Sequence, residues 1–389
     1  VIGAPLTIGA VNEVLPLAPR PGVPAPLLLD RVRPRAQYPG LTDQVRRVRE
    51  VAAALPAPWQ RLVDSELGPV EQHLVYERFV GVTVANLSYA LRSSGRALPL
   101  DVLRSVLEAL LDGLAALDAL PAALRPVELT DASVGLGVDG RWHFAAQQLN
   151  GLLSGLRSAV ADPEFQWVHE AAYFSSPEQL TGRAETPAST ASRAALLAWQ
   201  LASGGWHPFR GRSLGTETLL VARAIELGNA QHRQQLGVPT VPLSLPHGPA
   251  EVLRRALHPT AGRFADLAAF RAALAETWPC PSAPPERVRA VVFGVAWPGL
   301  QRQLAGLKHE PLLPVRWAGV WSAARTPEEG VAVLEDQLLE GLAPVDALPR
   351  APASPAGAPV VAPAEAAPPT EPSQPPGGLL VRLLTRFRR

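Results

Sequence analysis

Cysteine occurs once in this 389-residue chain, at Cys280. One thiol cannot close an internal disulfide, nor build a thiolate zinc site, which takes roughly two to four such ligands. A reducing, cytoplasmic setting is therefore expected, with no metal site of that kind. Lysine is equally scarce: of 36 Lys and Arg residues only Lys308 is a lysine, so chemistry that needs an ammonium group has one residue to draw on. Net charge is also missing. At +1 the chain offers no overall electrostatic footprint for nucleic acid, and any basic site must be local. No run of about 18 apolar residues occurs. The opening Val1-Ile2-Gly3-Ala4-Pro5 has neither the basic flank nor the apolar stretch of a leader, so neither secretion nor membrane spanning is expected.

What is present is ample apolar material. Hydrophobic residues make up 47% of the chain, while 42 prolines and 31 glycines call for long loops and at least one unstructured stretch. Up to about residue 85, short apolar runs such as Leu27-Leu28-Leu29 and His73-Leu74-Val75-Tyr76 alternate with proline-rich turns and read as strands of a small sheet. One helix interrupts them over residues 42–55, where Val45, Val48, Val51, Ala52 and Leu55 recur at helical spacing and Pro56 ends the run. From Leu87 the pattern turns helical, with Leu100, Leu103, Val106, Leu107, Leu110, Leu111 and Leu114 in one stripe. Further helices are expected over 189–203, 214–227, 249–256 and 264–277.

The C-terminal third reads differently. Residues 286–343 form a separate segment of unknown type, with Trp297, Trp317 and Trp321 expected to pack, and a helix over 327–342. Residues 344–378 are almost all Ala, Pro, Val, Glu and Ser, a composition that cannot bury enough apolar area to offset chain entropy, and are expected to be a disordered linker. The last residues, 379–389, put Leu380, Leu383, Leu384 and Phe387 on one helical face and Arg382 and Arg386 elsewhere. Such a tail fits a partner's groove or an anionic membrane surface, and is too short to be helical before it docks.

The segment Tyr173-Phe174-Ser175-Ser176-Pro177-Glu178-Gln179-Leu180-Thr181-Gly182 resembles the end of the activation segment of bacterial eukaryotic-like Ser/Thr protein kinases. His207-Pro208-Phe209-Arg210-Gly211, and then Arg255-Ala256-Leu257-His258-Pro259 with Gly262-Arg263-Phe264, resemble later motifs of that family in order and spacing. Tyr76 to Thr83 looks like its interlobe hinge. The resemblance spans about residues 2–277 and implies an α+β, two-lobed protein-kinase-like fold: a small β-rich lobe over 1–85 and a mainly helical lobe over 86–278. It further implies an ion pair between Glu178 and Arg263, costly to break on one side only.

Phosphoryl transfer depends on positioned charge, namely a glycine-rich loop, a lysine, a catalytic carboxylate and metal-binding side chains. At the positions the resemblance assigns, this sequence departs from each. The glycine loop falls on Thr7, Gly9, Asn12 and Val14, keeping one glycine of three; the lysine position is Asp30; its helical partner is retained as Glu50. The catalytic loop falls on residues 126–133, with Glu128 at the carboxylate and Ser133 at a metal-binding position. Ala146 begins the segment of the second metal ligand, and Thr190 takes the place of a scaffold aspartate. Asp131 beside Glu128 reads as a solvated turn, and His143, His169, His207 and His258 as structural or surface groups. The expectation from sequence is a pseudokinase, not an enzyme, with no cofactor and no metal. It would act as a scaffold or regulator for protein partners such as an active kinase or its substrate, without nucleic acid. Two alternatives stay open: a nucleotide-binding enzyme with non-standard kinase-like activity, and a tail-anchored membrane-surface adaptor.

Overall fold

The computed structural model of the chain describes residues 7–8, 12–17, 27–32, 41–68, 72–119, 129–145, 174, 176, 178, 186–208, 243–258, 262–308 and 326–352. Strands β1 (Thr7–Ile8), β2 (Asn12–Leu17), β3 (Leu27–Val32), β4 (Leu62–Leu67) and β5 (Gln72–Glu77) form one antiparallel sheet in the order β1-β2-β3-β5-β4. Alternation along β3 divides its side chains between the two faces. Leu27 and Leu29 join Leu15 and Val75 in a small core. Leu28 and Asp30 lie opposite Tyr76 and Leu74 of β5, so these four share the other face. Helix α1 (Leu41–Ala54) connects β3 to β4 and buries Val45, Val48, Val51 and Ala52.

A short connection, residues 78–80, leads into β6 (Gly81–Thr83), which pairs with β7 (Val134–Gly137); β7 in turn pairs with β8 (Trp142–Phe144). Gly81 is required here, because a Cβ would sit 2.1 Å from the Leu136 carbonyl oxygen. The loop after α1 is stitched to this second sheet. Gln60 N donates to Phe144 O at 2.7 Å, Phe144 N donates to Pro58 O at 3.1 Å, and the Trp59 and Phe144 rings lie 5.2 Å apart. Trp59 Nε1 also donates to Gly113 O at 2.8 Å, which anchors the β-rich lobe on the first long helix of the other.

The helical lobe begins with α2 (Val84–Ser94), capped by Thr83, whose hydroxyl accepts from Asn86 N, and ended by Gly95 at φ 63°, a left-handed cap that glycine adopts without strain. Helix α3 (Leu100–Asp118) carries the leucine stripe, and α4 (Pro187–Ala202) is buried along its whole length from Ser189. Helices α5 (His247–Leu257) and α6 (Leu267–Thr277) pack around α4. The expected helices over 42–55, 189–203, 249–256 and 264–277 each match an observed one within a few residues. The expected helix over 214–227 lies outside the described residues.

The C-terminal segment is corrected in two respects. Residues 285–307 form a 23-residue helix, α7 (Pro285–Leu307), whose Val288, Val291, Val292, Leu300, Leu304 and Leu307 enter the same core as α2, α3 and α4. It is followed by α8 (Pro327–Leu339), whose Val331, Leu334 and Leu338 do likewise. The described residues of this region, 285–308 and 326–343, are therefore part of the helical body and not a separate segment. Lys308 at the end of α7 donates to Glu335 of α8 at 2.8 Å, so the one lysine serves packing between these two helices.

The first residues of the expected linker are ordered by contacts, and those from 353 on lie outside the described residues. Residues 344–352 run as a strap against the α2–α3 turn: Ala97 N donates to Pro349 O and Ala351 N to Gly95 O, both at 2.9 Å, and Leu348 is buried. Arg96 donates to Leu348 O at 2.9 Å and pairs with the exposed Asp346. Backbone pairing and one buried leucine hold what composition alone would leave loose. Replacing Arg96 with alanine should cost about 1 kcal/mol, nearly all from the bond to the Leu348 carbonyl. It should also speed protease cleavage within 344–352, read by limited proteolysis and mass spectrometry.

Candidate functional site

A cavity of about 500 Å³ opens where the two lobes meet at residues 78–80. Its wall is drawn from Leu28 of β3, from Arg78, Phe79 and Val80 of the connection, from Ser133 to Gly135 at the start of β7, and from His143 on β8. The end of α7 adds Arg302, Gln303, Gly306 and Leu307. Sequence reasoning missed this contribution, since α7 was not foreseen. The signal was present in the spacing of Val288, Val291, Val292 and Val295, which is helical, but Pro298 and the near-continuous apolar run obscured it.

His143 is no isolated surface group. Its Nε2 lies 3.1 Å from both oxygens of Asp139, and its ring packs 5.2 Å from Phe79. Burial pushes the Asp139 carboxyl up, but the His143 hydrogen bond, the Arg141 backbone N–H and nearby positive charge outweigh it and hold the group below its ordinary value. His207 is buried edge-on to Phe174, and His258 sits exposed at the end of α5. His169 lies outside the described residues.

Asp30 is 1% exposed and stands on the cleft-side face of the sheet with Leu28, yet it does not line the cavity. Burial pushes the neighbouring Tyr76 phenol well above its ordinary value, and the negative charge of Asp30 pushes it further. Glu50 is exposed on α1, away from the buried Val45–Val48–Val51 side. Val14 is buried in β2, and Gly9 lies outside the described residues.

On the opposite wall, Ser133 closes a one-turn 3-10 element, Asp131–Ser133: its hydroxyl donates to Thr130 O at 2.7 Å and accepts from Thr130 N at 2.9 Å. Asp131 reads differently from the solvated turn expected, because Gln200 of the buried helix α4 donates to its Oδ2 at 2.8 Å. Thr190 is buried on α4. Glu128 and Ala146 lie outside the described residues, as do the tail positions Leu380, Arg382, Leu383, Leu384, Arg386 and Phe387.

Further from the cleft, Arg263 donates to both oxygens of Glu178, and Ser189 at the start of α4 donates to the same carboxylate at 2.9 Å. Both ion-pair side chains are 13% exposed. Burial raises the Glu178 carboxyl, and the Arg263 and Ser189 bonds more than reverse this, leaving it below its ordinary value.

Sheet order, the helix between β3 and β4, the connection at 78–80 and the helical body around α4 together define a two-lobed, α+β, protein-kinase-like fold. No protein-family model and no curated protein matches the chain. Among solved structures, the kinase domain of Mycobacterium tuberculosis PknI is similar at 21% identity, covering 70% of this chain and 94% of that domain with a TM-score of 0.46. A single mutant of that domain is similar at 20% identity, covering 71% and 94% with a TM-score of 0.45. The expectation that the chain is not an enzyme is corrected. Substitutions at Asp30, Ser133 and Thr190 do not amount to inactivity while Glu128 and Ala146 lie outside the described residues. Among the described residues, no cluster of three His, Cys, Asp or Glu could hold a metal ion, and no helix is long and apolar enough to cross a membrane.

Proposed function

We propose that the chain is a kinase-fold regulator in which a small ligand, held in the cleft at the hinge, sets how the body engages a protein partner. The observation that supports this reading is the cavity of about 500 Å³ walled by β3 on one side and by β7, β8 and α7 on the other. Its size falls within the range of about 300 to 1,000 Å³ common to small-molecule sites. A ligand that touches both lobes favours the arrangement that presents its contacts, so occupancy biases the shape offered to a partner. Scaffolding of a kinase, or of a kinase substrate, is the role such a device would serve.

A thermal-shift titration of the full chain with ATP, with and without magnesium, tests the reading. Ligand at about 100 times its dissociation constant should stabilise the fold by about 2.7 kcal/mol. An upward shift in either condition supports a working cleft, and accumulation of ADP in the same tubes would add catalysis to binding. A flat response up to millimolar nucleotide in both conditions would overturn the reading. The full chain is needed, because stopping at residue 343 removes the strap.

A further inference from the structure

We propose that residues 344–352 are a regulatory latch. Docked, the strap steadies the turn after α4 and, through it, the segment that carries Phe174 and Glu178; released, it lets both loosen. The inference is independent of the cleft and of any ligand there.

The latch has a fixed end and a lighter one. At residue 343 the chain is bolted to α7: Ala343 N donates to Ala290 O at 3.0 Å, and a Cβ at Gly294 would sit 2.4 Å from the Ala343 carbonyl oxygen. Toward residue 352 the hold is weaker. Arg350 lies opposite Arg96 in an isolated antiparallel bridge, flanked by the Ala97–Pro349 and Ala351–Gly95 backbone bonds. Leu348 is the one buried residue of 344–352, and Asp346 is exposed. A segment with so few buried contacts, bonded to a surface turn, opens at a cost well below that of the whole fold. The strap therefore has two states, docked and peeled back to residue 343. Because the chain continues past residue 352, a load on later residues draws the strap off from its lighter end.

What the docked strap touches leads inward. Ala351 packs on Gly204, where a Cβ would lie 2.6 Å from Ala351 Cβ and 3.0 Å from Arg96 O. Gly204 and Gly205, at φ 76° and 92°, make the turn that ends α4, a backbone that glycine adopts without strain. Arg92 of α2 donates to Gly205 O and lies 5.8 Å from the Trp206 ring, and Ser203 Oγ donates to Trp206 O at 2.6 Å. The next residue, His207, is buried and meets Phe174 edge-on at 5.4 Å. Phe174 shares its short segment with Glu178, which Arg263 and Ser189 hold. Packed contacts run from Ala351 to Phe174 without a break. Such a chain carries coupling where its first link has two arrangements, and the strap supplies them.

A reversible lock tests this. Residues 96 and 350 form a non-hydrogen-bonded antiparallel pair, a geometry that sets Cα atoms roughly 4.5 Å apart, within the span of a disulfide. The full chain carrying Arg96→Cys, Arg350→Cys and Cys280→Ser is compared oxidised and reduced by hydrogen exchange and mass spectrometry. Oxidation should slow exchange roughly three- to thirtyfold in peptides covering 203–207 and Phe174, with α6 unchanged. Leu348→Ala in the otherwise unaltered chain should speed the same peptides. Slowing confined to 95–97 and 344–352 would overturn the latch and leave the strap a local tie. Equal slowing in α6 would overturn it too, since the lock would then have raised global stability. Failure of the two cysteines to oxidise would contradict the 96–350 pairing and defeat the proposal at its first link.

Discussion

Replacing Arg263 with alanine is expected to lower folding stability by about 3 kcal/mol, measured by urea denaturation. The change takes the Arg263 guanidinium from the Glu178 carboxylate, 13% exposed, while the Ser189 hydroxyl bond remains. Losing one member of a buried pair costs about 3 to 5 kcal/mol because the other charge stays desolvated, and the residual exposure argues for the lower end. Adding Glu178→Gln to Arg263→Ala should recover part of the loss, since the stranded charge is then gone. The pair also predicts acid sensitivity. The folded Glu178 carboxyl lies below its ordinary value, so its contribution is complete above the unfolded value of about 4.3 and fades as pH falls through the folded one. The stability gap between the unaltered chain and Glu178→Gln should therefore narrow below about pH 4; a gap that stays constant with pH would contradict the assignment.

Leu304→Ala should cost about 2 to 5 kcal/mol. Leu304 is fully buried on α7, within the core shared with α2, α3 and α4, and its removal leaves a cavity among rigid neighbours. The form of the unfolding curve matters as much as its midpoint. A helix integral to the body should shift one cooperative transition, followed equally through the buried Trp59 near the hinge and Trp199 on α4. A separate early transition, with the main one unmoved, would return residues 285–343 to the status of an independent segment.

Much of the helical body was legible because its signals are local. The leucine stripe of α3 and the valines of α1 repeat at helical spacing, and proline punctuates their ends. The Glu178 and Arg263 positions came through family resemblance, and the described geometry brings those two side chains together. The cleft was only half legible. Asp30 could be assigned to its strand, but whether a carboxylate there faces a ligand or is buried beside Tyr76 depends on residues far apart in sequence. Asp131 could not be matched to Gln200, 69 residues later, by any periodicity. Helix α7 was lost because it is apolar on most faces, which removes the contrast that an amphipathic pattern supplies. The strap was misread because composition measures what a segment could bury alone, whereas Leu348 uses surface provided by others.

Because α7 and the strap close a core whose other walls come from α2 and α3, the order of synthesis works against early completion. Arg287 meets Asp101 across 186 residues, and Arg96 meets Leu348 across 252. Contacts of such sequence separation form late, since the loop between them must first be ordered. As the chain leaves the ribosome, the sides of α2 and α3 that α7 covers are made long before their cover. During that interval they present uncovered apolar surface, the condition under which nascent chains associate with chaperones or with one another.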